Sequence, residues 1–320
     1  MSPERQNAAE LFGYATANAP GKINIALHVG APRADGYHEL QTLFLAVNCA
    51  EQVRATSVTD GSITAEFSSQ SASHIAYQGL PTDESNLAVK AALLLQREFN
   101  IDEGAHLTIT KNVPIAGGMG GGSADAAAAL VACAALWGIQ MDRRALAEFA
   151  EPLGADVPFA VLGGAALGAG IGHELTPLLT TAQTHWVIVP ATGNGLSTPS
   201  VYKEFDQLHG YRPGQNDTEP EPISTELLRA FAQGDPRTLA GYLRNDLQPA
   251  TLALYPELSQ TLELGLREGA LATMISGSGP TIMMLCDDAE AASALALRLN
   301  DEYQLPAWPV TGPAAGATIC

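Results

Sequence analysis

Residues 114–126 read PIAGGMGGGSADA, with five glycines in the six positions from Gly117 to Gly122. The run Leu107 to Thr110 before them reads as a strand, and the alanine-rich run Ser123 to Trp137 after them as a helix. Glycine carries no Cβ, so its backbone can take positive φ and lie close to a ligand. The N–H groups left free by such a loop converge with a helix N-terminus, whose dipole favours an anion. A plain strand-to-helix turn needs only one or two glycines. The stretch therefore reads as a phosphate cradle. It is not the nucleoside-triphosphatase loop, because Ser123 stands where that loop needs lysine. Nor is it the dinucleotide fingerprint, since Gly118 and Gly120 are followed by Ser123 rather than a third glycine. The VAIK, HRD and DFG elements of protein kinases are missing, neither Ser123 nor Ser278 sits in a GxSxG elbow, and no two of the seven histidines have helical ligand spacing.

On the N-terminal side, Lys22 to Val29 reads KINIALHV, a half-buried strand with Ile23, Ile25, Leu27 and Val29 on one face. A turn at Gly30 to Gly36 leads to a second apolar run, Leu43 to Cys49, with short strands expected at 52–57 and 62–67. Asn86 caps a helix to Phe99, and 142–150 is another helix. In the second half, strands are expected at 185–190, 273–275 and 281–286, and helices at 224–232, 236–244, 258–267 and 288–300. The proline-rich segment 209–222 reads as a surface loop. Strands and helices cluster rather than alternate, which favours α+β over a doubly wound sheet. At 320 residues the chain suits two domains, expected over 1–172 and 173–320.

Composition narrows the function. Hydrophobic residues make up 46% and charged residues 16%, which favours a filled core over disorder. The formal net charge of −18 repels phosphate backbones, so neither nucleic acid nor an anionic membrane is an expected partner. A phosphate ligand would have to be held by local dipoles and a few placed cations. The uncharged, mostly apolar stretches 126–141 and 157–172 fall short of the roughly 20 residues a spanning helix needs. Residues 1–10 show no apolar signal-peptide core, and the four cysteines show no CxxC pairing, so a cytoplasmic location is expected.

Two further segments carry chemistry. The sequence APGKIN, residues 19–24, puts Lys22 at a strand start, and GADVPF, residues 154–159, puts Asp156 inside a long uncharged stretch. Alone, Lys22 reads as a solvated strand end and Asp156 as a helix cap. Brought together beside a phosphate cradle they would be a base for a hydroxyl and a cation for developing charge.

These segments, with ISGSGPT at 275–281, resemble the motifs of the galactokinase, homoserine kinase, mevalonate kinase and phosphomevalonate kinase (GHMP) superfamily, in its order, over roughly residues 18–312. RADGYHEL, residues 33–40, resembles the substrate loop of one branch, which uses ATP to phosphorylate a hydroxyl of a cytidine-diphosphate-linked polyol on the non-mevalonate route to isoprenoids. As an ordinary turn, DGYH would place Asp35-Gly36 at the corner with Tyr37 packed. The resemblance implies a two-domain α+β kinase with its site in the cleft between domains, ATP as co-substrate and Mg2+. Lys22 and Asp156 match the catalytic pair. Pro114, Ile115, Ala116, Gly117, Gly118, Met119, Gly120, Gly121, Gly122, Ser123 and Ala124 match the ATP loop, and Asn86 and Lys111 the adenosine side. Asn24, Tyr37, His38 and Thr198 match substrate positions, with a ring to stack on cytosine and an imidazole for its polar edge. No acidic residue is assigned to magnesium, and a monomer or homodimer is equally consistent. Two alternatives stay open: another small-molecule kinase of the superfamily, of homoserine or mevalonate type, or a non-catalytic nucleotide-binding regulator of the same fold.

Overall fold

A computed structural model of the chain describes residues 13–72, 75, 77–191, 196–216 and 218–320. The segment 1–10 and Asp217 of the 209–222 loop lie outside the described residues. The fold is organised by two long antiparallel strands, β1 (Tyr14–Pro32) and β2 (His38–Val58). The alternation in β1 predicted one buried face, yet every residue from 19 to 32 is buried. The reason is tertiary. Ala17 and Ala19 pack in a core of helices, whereas Ile23, Ile25 and Ala26 pack in a core facing a second sheet. That burial encloses Lys22, Asn24 and His28 as well. The two strands expected at 43–49 and 52–57 are parts of one strand. A register shift between Pro20 and Gly21 of β1 leaves Asn48 and Cys49 without opposite partners, and pairing resumes at Ala50.

The first sheet continues with β3 (Ile63–Phe67) and β4 (Gly104–Thr110), and α1 (Leu87–Glu98) lies between them in the chain. Asn86 caps α1, its side chain accepting from the Ala88 N–H. After the glycine loop come α2 (Gly121–Leu136), α3 (Arg143–Ala150) and the short α4 (Val157–Leu162). Alanine dominates α2 on all sides, so it can lie close against α1 and the sheet. The hairpin β5 (Ala165–Ala169) and β6 (Glu174–Leu178) adds to β2.

The second sheet begins with β7 (Thr184–Val189). Helices α5 (Thr198–His209), α6 (Thr225–Gln233) and α7 (Pro236–Ala240) follow. The helix expected over 236–244 stops at Ala240, and Arg244–Asn245 forms β8, which pairs parallel to β1. Next come α8 (Gln248–Leu254), α9 (Leu258–Arg267), β9 (Ala272–Ile275), β10 (Ile282–Cys286), α10 (Ala289–Tyr303), β11 (Trp308–Gly312) and β12 (Thr318–Ile319). The strand order is β12-β1-β2-β4-β3 in the first sheet and β11-β7-β10-β9 in the second. Period-two alternation in β7 splits its side chains: Trp186 and Ile188 face the core shared with β1 and β2, Val187 and Val189 the core under α9 and α10. Among the described residues no helix is long and apolar enough to cross a membrane.

Candidate active site

A cavity of about 1210 Å³ opens between the glycine loop, the middle of β1, the 33–38 turn, the start of α5 and the turn after β9. Its floor is the glycine loop. Gly118 (φ +76°) and Gly120 (φ +68°) take left-handed backbone, whereas Gly121 and Gly122 are the first two helical residues of α2. Gly120 is the cap residue and supplies no side-chain acceptor, so the first-turn N–H groups of α2 are presented to the cavity. The loop is pinned on both sides. The Lys22 N–H donates to the Met119 carbonyl at 3.0 Å, the Ser276 hydroxyl to the Gly118 carbonyl at 3.2 Å, and the Thr281 N–H to the Gly117 carbonyl at 3.3 Å. A Cβ on Gly118 would stand 2.0 Å from the Ser276 carbonyl oxygen, and one on Gly117 2.3 Å from Thr281 Oγ1. Glycine is needed at 117 and 118 because the turn at 276–281 lies against them. Met119 and Ala124 turn into the core and do not line the cavity, while the other nine residues from Pro114 to Ser123 do.

Lys22 and Asp156 meet beside this loop. The Lys22 Nζ lies 3.7 Å from Asp156 Oδ2, with side-chain exposures of 11% and 32%. Asp156 occupies the cap position of α4 but makes no capping hydrogen bond, so its carboxylate is left for the cavity. The ammonium is oriented by a relay: Lys22 Nζ donates to Asn24 Oδ1 at 2.9 Å, Asn24 Nδ2 to Thr42 Oγ1 at 2.8 Å, and the Thr42 hydroxyl to the Ala26 carbonyl at 2.7 Å. The Phe44 ring lies 5.4 Å from the same Nζ, within cation–π range.

Lys111 lines the other end of the cavity with Asn86, Leu87, Phe67, Leu80 and Pro81. Its ammonium is engaged by two buried carboxylates, Glu51 at 2.5 Å and Asp125 at 2.6 Å. Burial works against the Lys111 charge, but the two carboxylates outweigh it and hold the group above its ordinary value. Burial, then the neighbouring Asp125, pushes Glu51 up to about 8, and burial pushes Asp125 up to about 6.

At the opposite end, Arg33 to His38 forms a turn with Gly36 at φ +82°. Tyr37 is 59% exposed rather than packed, which leaves its ring face available at the cavity rim. His38 is buried. Its Nε2 pairs with Asp206 Oδ1 at 2.9 Å, and its ring lies 4.8 Å from the Tyr202 ring. The Thr198 hydroxyl bonds the Ser278 hydroxyl at 2.9 Å. Every sequence-predicted position except Met119 and Ala124 therefore lines one cavity. Sequence reasoning missed Tyr202, Asp206 and Glu51. Burial raises the Tyr202 phenol, with a smaller contribution from the field of Asp156. The Ser197-Thr-Pro start and the Val201/Phe205 spacing could have revealed α5, and with it Tyr202 and Asp206.

Comparison with known proteins bears on this geometry. The family model for the GHMP kinases N terminal domain matches residues 86–164, and that for the GHMP kinases C terminal matches 227–305. The chain is 48% identical to 4-diphosphocytidyl-2-C-methyl-D-erythritol kinase of Pseudarthrobacter chlorophenolicus, covering 94% of this chain and 93% of that one. It is 45% identical to the protein of that name from Streptomyces coelicolor, covering 95% and 98%. A crystal structure of 4-(cytidine 5'-diphospho)-2C-methyl-D-erythritol kinase superimposes with a TM-score of 0.75 at 29% identity, covering 94% of this chain and 100% of that one. Mevalonate kinase of L. major, in complex with R-mevalonate, shares the fold at a TM-score of 0.70 and 17% identity, covering 93% and 96%. The chain belongs to the GHMP kinase family, on the branch whose members are named 4-diphosphocytidyl-2-C-methyl-D-erythritol kinase.

Proposed function

We propose that this chain transfers the γ-phosphoryl group of ATP to the 2-hydroxyl of 4-diphosphocytidyl-2-C-methyl-D-erythritol, in the non-mevalonate route to isoprenoid precursors. The observation that carries the reading is the Lys22–Asp156 pair, 3.7 Å apart beside the open N-terminus of α2. In this reading the first-turn N–H groups of α2 and the loop from Pro114 to Ser123 hold the triphosphate. Asp156, its carboxylate free of capping duty, accepts the proton of the substrate hydroxyl. The Lys22 ammonium, held by Asn24, stabilises the charge on the transferring phosphoryl oxygens. Asn86 and the wall around Lys111 face the adenosine, while Tyr37, His38, Asn24 and Thr198 face the cytidine-linked polyol.

Magnesium is expected to arrive as part of the Mg·ATP substrate. Among the described residues no group of three or more His, Cys, Asp or Glu could hold a metal ion, and no residue is assigned to it. The reading keeps the division at 172/173; β6 (Glu174–Leu178) still pairs with β5 of the first sheet, and β7 (Thr184–Val189) opens the second. A cytoplasmic enzyme, monomeric or homodimeric, without nucleic-acid or membrane partners, completes the proposal. An ADP-release assay with the cytidine-linked polyol, homoserine and mevalonate in parallel tests it. Turnover on the first alone is expected. Turnover on another acceptor would move the protein to a different kinase of the family, and none on any would point to a regulator.

A further inference from the structure

Asn245 lies on β8, opposite Leu27 of β1 in a parallel pairing. Its side chain is buried and fully partnered. Nδ2 donates to the Ile275 carbonyl at 2.8 Å and to the Gly277 carbonyl at 2.7 Å, and Oδ1 accepts the Leu247 N–H at 2.9 Å. Two carbonyls can face only the NH2 group, so the partners fix the amide's orientation. A buried amide satisfied in this way orders the segments it joins.

The segment it orders lies against the reacting groups. Gly277 has φ +56°, and a Cβ built on it would stand 3.4 Å from Lys22 Nζ, 3.3 Å from Asn24 Oδ1 and 3.3 Å from the Gly118 carbonyl oxygen. The Gly277 backbone thus closes one side of the space around the ammonium and its acceptor Asn24, leaving less than a methyl group's room between them. A lysine side chain has four flexible carbons, and its placement 3.7 Å from Asp156 depends on such contacts. Asn245 itself does not line the cavity.

We infer that Asn245 is a positioning residue for phosphoryl transfer: by holding Gly277 against Lys22 it fixes the ammonium beside Asp156, without touching either ligand. This rests on the function proposed above. Gln248 supplies a control, because its Oε1 accepts the Ile275 N–H at 2.9 Å and so anchors the same strand without reaching Gly277.

The test uses the full chain with Asn245→Leu, Asn245→Asp and Gln248→Leu. Leucine has a similar volume and removes both donors; aspartate keeps the acceptor for Leu247 and also removes both donors. kcat, KM for each substrate and melting temperature are measured. Both Asn245 variants should lose kcat by on the order of 10- to 100-fold, the scale for displacing a reacting group by about 1 Å. Both KM values should stay within about threefold, since no ligand contact is removed. Gln248→Leu should keep its kcat. A folded Asn245 variant with wild-type kcat overturns the inference, as does an equal loss of kcat in Gln248→Leu. If the wild type does not turn over the cytidine-linked polyol, the substrate reading fails instead, and the same comparison is read from the acceptor-free ATPase rate.

Discussion

Replacing Gly118 with alanine tests whether the glycine loop and the turn after β9 form one phosphate site. At φ +76° a Cβ there would stand 2.0 Å from the Ser276 carbonyl oxygen and 2.9 Å from the Gly279 nitrogen, both backbone atoms. Left-handed backbone costs an L-residue about 1–2 kcal/mol. The contact can be relieved only by moving loop and turn apart, which breaks the Ser276 hydroxyl bond to Gly118 and the Thr281 N–H bond to Gly117. Each is worth about 1 kcal/mol. The closed loop should therefore lose about 3 kcal/mol, or roughly a hundredfold in affinity for an ATP analogue, at about 1.4 kcal/mol per factor of ten. Gly138→Ala is the contrast: it shares the left-handed backbone, at φ +66°, but its Cβ would meet nothing within 4 Å and it does not line the cavity. Calorimetric titration with a non-hydrolysable ATP analogue, alongside melting curves, reads both variants. Wild-type affinity in Gly118→Ala, or equal losses in the two, would refute the reasoning.

Asp156→Asn keeps size and removes the base, so turnover should fall by about 10²- to 10⁴-fold while ATP-analogue binding survives; near-normal turnover would leave positioning and electrostatics as the whole mechanism. Tyr37→Ala and His38→Ala should each weaken cytidine diphosphate by roughly 1–3 kcal/mol and leave the ATP analogue unaffected, through lost stacking and an unpaired polar group. His38→Ala also strands Asp206, so Asp206→Asn should weaken cytidine diphosphate in the same direction; equal loss of both nucleotides would indicate misfolding. Glu51, raised from 4.5 to about 8, binds its proton more tightly folded than unfolded. Stability should therefore be greatest below pH 4.5 as far as this group is concerned, and fall as pH rises towards 8, by up to about 1.4 kcal/mol per unit. Asp125, raised to about 6, adds a fall of the same sign over the lower part of that range. Melting curves of Glu51→Gln should show a shallower fall between pH 5 and 8 than the wild type, and an identical slope would show that Glu51 does not titrate there.

Local sequence determined the parts of this protein whose chemistry is local. Five glycines between a strand and an alanine run specify a loop at a helix N-terminus, because only residues without a Cβ allow that backbone. Asn86 announces its helix because a capping side chain acts within three residues of itself. Which glycines turn left-handed was not local: Gly118 is held so by Ser276, 158 positions away in the chain. Long-range pairing likewise made one strand of the two expected between 43 and 57, and buried both faces of β1 between helices and a second sheet. Lys22 and Asp156 read separately as a strand end and a cap; only the fold brings them to 3.7 Å and leaves the carboxylate uncapped. The pairing of His38 with Asp206, of Lys111 with Glu51 and Asp125, and of Asn245 with Gly277 follows the same rule. Periodicity reports which residues leave water, but the partner of a buried charge or amide is set by strand register and sheet packing, which join segments far apart in sequence.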